Sequence, residues 1–121
     1  MKGQGRSLGA RGELAAKAHL LTLGYEILQE NYTTPFGEID LIARDGETLV
    51  FVEVKARSSK AYGPPEASVT RGKQQQIRRV ASLYLSQARL HNVACRFDVV
   101  AVTFPREAKA PQIELIRGAF P

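Results

Sequence analysis

The alternation of apolar and polar residues divides the chain into a helix, three strands, a second helix and further strand. From Ser7 to Leu23 the apolar positions Leu14, Ala18 and Leu21 recur on one helical stripe, and Gly24 stands where a helix would stop. Tyr25 to Tyr32 reads as a strand that ends before Thr33-Thr34-Pro35. The strongest local pattern follows, with Glu38–Ala43 and Leu49–Lys55 flanking Arg44-Asp45-Gly46-Glu47-Thr48, a hairpin with an Asp-Gly turn. Gly63-Pro64-Pro65 marks a loop. A second helix is expected over Val69 to Leu90, its apolar face formed by Ile77, Val80, Ala81, Tyr84, Leu85 and Ala88. Arg96 to Phe104 is a strand, and Gln112 to Arg117 is another after Pro105 and Pro111. The order α-β-β-β-α-β, with this added strand, predicts an α/β fold in which hairpin neighbours and one helical crossover share a mixed sheet flanked by helices. No repeat or linker interrupts the 121 residues, so a single domain is expected.

Register decides what the hairpin can do, because residues two apart share a face. With a two- or four-residue loop, Ile39, Leu41, Ala43, Val50, Val52 and Val54 form one apolar face. The other face holds Ile42, Leu49 and Phe51 near the turn and Glu38, Asp40, Glu53 and Lys55 at its far end.

Apolar residues make up 44% and charged residues 24%, values of a chain that folds. One cysteine, Cys95, and two histidines, His19 and His91, leave no disulfide framework and no Cys/His zinc site within one chain. Cys95 is expected as a small buried hydrophobe and the histidines as surface or boundary residues. Gly3, Gly5 and Gly9 miss the dinucleotide-binding spacing by one residue and follow no strand, so residues 1–6 read as a flexible arm and no organic cofactor is expected. The N-terminus lacks the apolar stretch of a signal peptide and no run is long enough to span a membrane, which predicts a cytoplasmic protein.

The net charge is +5, and its distribution is uneven. Residues 55–79 carry Lys55, Arg57, Lys60, Arg71, Lys73, Arg78 and Arg79 against Glu66 alone, a local +6, while the rest of the chain sums to −1. Such a stretch is either a solvated face or a surface that tracks phosphates.

Clustered carboxylates repel one another and are tolerated in a folded chain when a cation is near. Lys55 cannot neutralise three. A hard divalent ion such as Mg²⁺ or Mn²⁺ suits Asp40 and Glu53, with the Val54 carbonyl as a further oxygen and Lys55 beside the attacking water or a phosphoryl oxygen. Val-Glu-Val-Lys lies in a strand otherwise buried on both faces, where ionisable groups are unexpected without a task. Lys73 and Gln76 extend the apolar stripe of the second helix towards the sheet and are candidate supporting residues, as is Glu38. Asp98 alternates with apolar neighbours and reads as structural, holding Arg96.

Gly37-Glu38-Ile39-Asp40-Leu41-Ile42, a turn, and Phe51-Val52-Glu53-Val54-Lys55-Ala56-Arg57 together resemble the PD-(D/E)xK nuclease motif, with Ile39 where its name places proline. The pattern is most similar to the small bacterial YraN-type family of predicted endonucleases, which resemble archaeal Holliday-junction resolvases. Gly12-Glu13, Leu23-Gly24-Tyr25, Asn31, Lys73 and Arg96-Phe97-Asp98-Val99-Val100 extend the resemblance over nearly the whole chain. It implies a restriction-endonuclease-like fold, Asp40 and Glu53 as metal ligands, Lys55 as the residue that positions water, and Glu13 reaching the site from the first helix. It further implies Mg²⁺- or Mn²⁺-dependent cleavage of branched or structured DNA in repair or recombination, by a symmetric dimer because two strands must be cut. Arg57, Lys60, Arg71, Arg78 and Arg79 are the expected DNA-binding residues. The alternative is a catalytically silent nucleic-acid-binding accessory module with the same fold.

Overall fold

The computed structural model describes residues 7–58, 63–107 and 110–121. The expected arm at 1–6 and Lys60 lie outside them. Helix α1 spans Leu8–Thr22, capped by Ser7, whose hydroxyl accepts the Ala10 N–H at 3.1 Å. Strands β1 (Glu26–Thr34), β2 (Gly37–Asp45) and β3 (Thr48–Arg57) follow as an antiparallel meander. The β2–β3 loop is Gly46-Glu47, with Gly46 at φ 63°, a conformation that glycine adopts without strain. A short 3-10 turn, Pro65–Ser68, leads to α2 (Arg71–Gln87), whose N-terminus Thr70 caps by accepting the Lys73 N–H at 3.2 Å. Strand β4 (Cys95–Thr103) then lies parallel to β3, and β5 (Gln112–Phe120) pairs antiparallel with β4. The five-stranded mixed sheet runs β1-β2-β3-β4-β5, a restriction-endonuclease-like α/β arrangement with one helix on each face.

Alternation along β3 and β4 divides the core. Leu49, Phe51, Ile42 and Val99 pack with Ile77, Val80 and Ala81 of α2, while Val50, Val52, Val100 and Val102 pack with Ala16 and Leu20 of α1. The central strands are therefore buried on both faces, as a parallel crossover demands.

Three expectations are corrected here. The buried stripe of α1 is Gly12, Ala16 and Leu20, whereas Leu14, Ala18 and Leu21 face outward. Close packing on β3 selects this small-residue stripe, since a methyl group at Gly12 would lie 2.6 Å from the Ala56 Cβ. On α2, Ala88 is the exposed C-cap and not part of the packed face. Cys95 is exposed, because β4 begins with it at the rim of the sheet, opposite Leu49. Asp98 is fully buried and structural: it accepts from Arg96 Nε (2.9 Å), Tyr25 Oη (3.0 Å) and the Gly118 N–H (3.0 Å). Arg96 also binds Asp45 at 2.9 Å, so this internal charge is fully paired.

Candidate metal centre

One backbone distortion determines where the carboxylates go. Asn31 has φ 53° within β1, between the pairs Glu30↔Leu41 and Tyr32↔Ile39. Asparagine is among the few residues that enter this left-handed region readily. The usual alternation reverses there in both strands. Glu30 binds Lys17 of α1 at 2.6 Å, yet Tyr32 packs edge-on against Tyr84 of α2, with ring centroids 5.3 Å apart. Likewise Leu41 lies under α1 and Ile39 under α2, so Ile39 leaves the apolar face expected for it with Leu41 and Ala43.

Register between β2 and β3 ends at Leu41↔Val52. In the gap beyond, the Val54 N–H donates to Asp40 Oδ2 at 2.8 Å, so a carboxylate takes the place of a strand carbonyl. Asp40 thereby stands where β2 separates from β3, between the two faces of the sheet.

Around it, Glu13 from α1 and Glu38 from β2 each bring a carboxylate oxygen, and these with one of Asp40 all lie within 4.8 Å of one another. With its amide nitrogen turned to the acids, Asn31 donates to Glu13 Oε1 (3.0 Å) and Glu38 Oε2 (3.1 Å). Glu53, on the α2 side, lies 3.6 Å from Lys55 Nζ and 3.8 Å from Lys73 Nζ. Asp40 is the meeting point of the expected group: Glu13 and Glu38 gather with it, and Glu53, whose carboxyl touches that of Asp40, brings the two lysines from the α2 side. Gln76 reaches the start of β2, where a methyl group on Gly37 would lie 2.7 Å from its Cδ.

The electrostatics follow from the roster of four carboxylates against two ammoniums. Burial, reinforced by Asp40, pushes the Glu53 carboxyl up to about 7 despite Lys73 and Lys55. Burial also raises Asp40, with Glu38 adding to it, while the Val54 N–H and Lys73 oppose the rise. Glu13 is raised by burial and then by Asp40 and Glu38, against the Asn31 amide. An all-oxygen, electron-rich set of this kind fits a hard divalent cation, which relieves the repulsion that raises these groups.

The basic residues have separate engagements. Arg57 donates to Gly63 O at 3.0 Å and Arg78 to Pro121 O at 2.8 Å, and Arg71 lines a shallow depression with Arg78 and Pro121. Arg79 lies over the Phe36 ring, beside the start of β2, 3.6 Å from guanidinium carbon to ring centroid. Asn31 is the site residue whose role sequence reasoning missed; its signal was an asparagine inside a strand-like run.

A family model described as Uncharacterised protein family UPF0102 matches residues 12–102, a span holding Glu13, Glu38, Asp40, Glu53, Lys55 and Lys73. Proteins named UPF0102 protein are similar over nearly their whole length. That of Moorella thermoacetica is 47% identical over 115 residues, covering 95% of this chain and 96% of its own. That of Geobacter metallireducens is 47% identical over 115 residues, covering 95% and 93%. That of Syntrophus aciditrophicus is 50% identical over 112 residues, covering 93% and 87%. Among the described residues no helix is long and apolar enough to cross a membrane.

Proposed function

The chain belongs to the UPF0102 family, and on that premise we propose that it is a divalent-metal-dependent endonuclease of PD-(D/E)xK type, acting in the cytoplasm on structured or branched DNA through its backbone. One observation carries the reading: carboxylates from α1 and β2 gather around Asp40 where β2 and β3 of a restriction-endonuclease-like sheet separate, with the Glu53–Lys55 pair beside them. Asp40, Glu13 and Glu38 would hold Mg²⁺ or Mn²⁺, with Glu53 and the Val54 carbonyl as the further oxygens the motif suggests. A bound ion supplies positive charge for the phosphoryl oxygens and for an attacking water. The ammonium of Lys55, held by Glu53, orients that water, and Lys73 offsets the Glu53 charge from the α2 side. Contacts to phosphate alone predict affinity that falls steeply with salt and shows little sequence preference.

The test is cleavage of end-labelled single-stranded, duplex, flap and four-way-junction DNA with Mg²⁺ or Mn²⁺, comparing the native chain with Asp40→Asn. Cleavage lost in the variant supports the nuclease. Intact DNA in every lane with binding retained overturns it in favour of an accessory binding module.

A further inference from the structure

Among the described residues Phe36 is the one aromatic exposed by more than a third, at 39%. It sits at the tip of the β1–β2 hairpin, two residues before Glu38, or about 7 Å of strand. A lone exposed phenylalanine is ordinary, but this one is held in place from three sides. Arg79 of α2 covers one face of its ring at 3.6 Å, leaving the exposed surface on the remaining face and edges. Thr34 Oγ1 accepts the Phe36 N–H at 3.1 Å and donates to Gly37 O at 3.0 Å, locking the turn. Gln76 packs against Gly37, whose φ of 144° disfavours any side chain there. The tip is therefore a rigid ring with a guanidinium behind it, two residues along the chain from Glu38. Rigid aromatic surface binds another ring with little loss of side-chain entropy.

We propose that Phe36, backed by Arg79, is a stacking platform for an unpaired DNA base flanking the phosphate handled by the carboxylate group, so that the protein selects DNA with an unstacked nucleotide over continuous duplex. The position of that phosphate rests on the nuclease reading; the stacking does not. Every base presents a π-face, so the platform is indifferent to sequence, whereas a paired base must first be unstacked at a cost of a few kcal/mol. Arg79 adds the positive charge that accompanies a flanking phosphate.

The experiment uses the full chain with Ca²⁺, a flap DNA carrying 2-aminopurine at the unpaired nucleotide next to the branch, and a fully paired duplex with an internal 2-aminopurine. Native protein is expected to bind the flap at least about 10-fold more tightly than the duplex and to change the flap's 2-aminopurine fluorescence. Phe36→Ala should abolish both the preference and the fluorescence change while duplex affinity stays constant, and Phe36→Tyr should keep both. Phe36→Leu retains apolar bulk without a π-face and should behave as Phe36→Ala, which guards against a folding defect in the smaller variant. A flap preference that survives in Phe36→Leu, or no preference in the native chain, overturns the proposal. Cleavage with Mn²⁺ is scored separately: cleavage without a Phe36 effect removes this inference alone, and a Phe36 effect without cleavage removes the nuclease reading alone.

Discussion

Asp40 and Val54 meet where β2 and β3 part, the carboxylate accepting the Val54 N–H at 2.8 Å. Asp40→Asn keeps an acceptor for that N–H and removes the charge; Asp40→Ala removes both. Mn²⁺ affinity measured by calorimetry should fall in both variants by more than the roughly 10–100-fold typical of residues that only support a ligand. In EDTA, Asp40→Ala should be less stable than Asp40→Asn by about 1–3 kcal/mol, the cost of an orphaned buried donor. Equal thermal midpoints for the two variants would show that the N–H finds another partner.

Glu53 makes the metal-free protein sensitive to pH. Its carboxyl titrates at about 7 in the fold against its ordinary 4.5 in the unfolded chain, so the folded form holds the proton more tightly. The stability it contributes is complete below about 4.5 and is lost as pH rises through about 7, on the order of 3 kcal/mol. The raised Asp40 and Glu13 act in the same direction. Thermal melts in EDTA should show native protein losing stability between pH 5 and 7.5, Glu53→Gln losing less, and saturating Mn²⁺ reversing the trend. A native midpoint that rises with pH in EDTA would contradict this.

Asn31 combines a left-handed backbone with an amide that joins Glu13 to Glu38. Asn31→Gly keeps the conformation and deletes the amide; Asn31→Ala loses both, at about 1–2 kcal/mol for the backbone. Both should weaken Mn²⁺ binding about 10-fold or more, with Asn31→Ala alone clearly less stable. Unchanged Mn²⁺ affinity in Asn31→Gly would restrict Asn31 to shaping the strand.

Gly12 packs against Ala56, and Glu13 is the next residue. Gly12→Ala should cost about 1–3 kcal/mol by overpacking and lower Mn²⁺ affinity by displacing α1. Adding Ala56→Gly should restore part of both losses, a coupling readable in a double-mutant cycle.

Asp98 serves as the control, its carboxylate engaged by Arg96, Tyr25 and the Gly118 N–H and not by the acidic group. Asp98→Ala leaves Arg96 short of its main partner and should destabilise by about 3–5 kcal/mol, while any folded fraction keeps native Mn²⁺ affinity.

The strands and α2 were legible because their apolar periods are unmixed, as Leu49–Val52 and Val99–Val102 show for buried strands and Ile77, Val80 and Ala81 for α2. The face of α1 was not legible, since Leu14 and Leu21 outweigh Gly12 and Ala16 on any hydrophobic count, and only the nearness of Ala56 reveals why small residues turn inward. Asp40 and the Glu53–Lys55 pair could be located by register alone. The gathering of Glu38 with Glu13 of α1 could not, because alternation assumes an undistorted strand and Asn31 breaks it. Glu13 came from resemblance, since nothing in helical periodicity selects it over Lys17.

The reversal at Asn31 lets β2 serve two layers within three residues, Leu41 beneath α1 and Ile39 beneath α2. A charge cluster built on such a crossing point belongs to neither layer. Its aperture is set by two packing distances at once, one beneath Gly12 and Ala16, the other beneath Ile77 and Val80. Volume changes in either layer act on it like the jaws of a vice, so on the proposed metal-binding reading discrimination among divalent ions of different radius would be adjustable from positions that touch no ion.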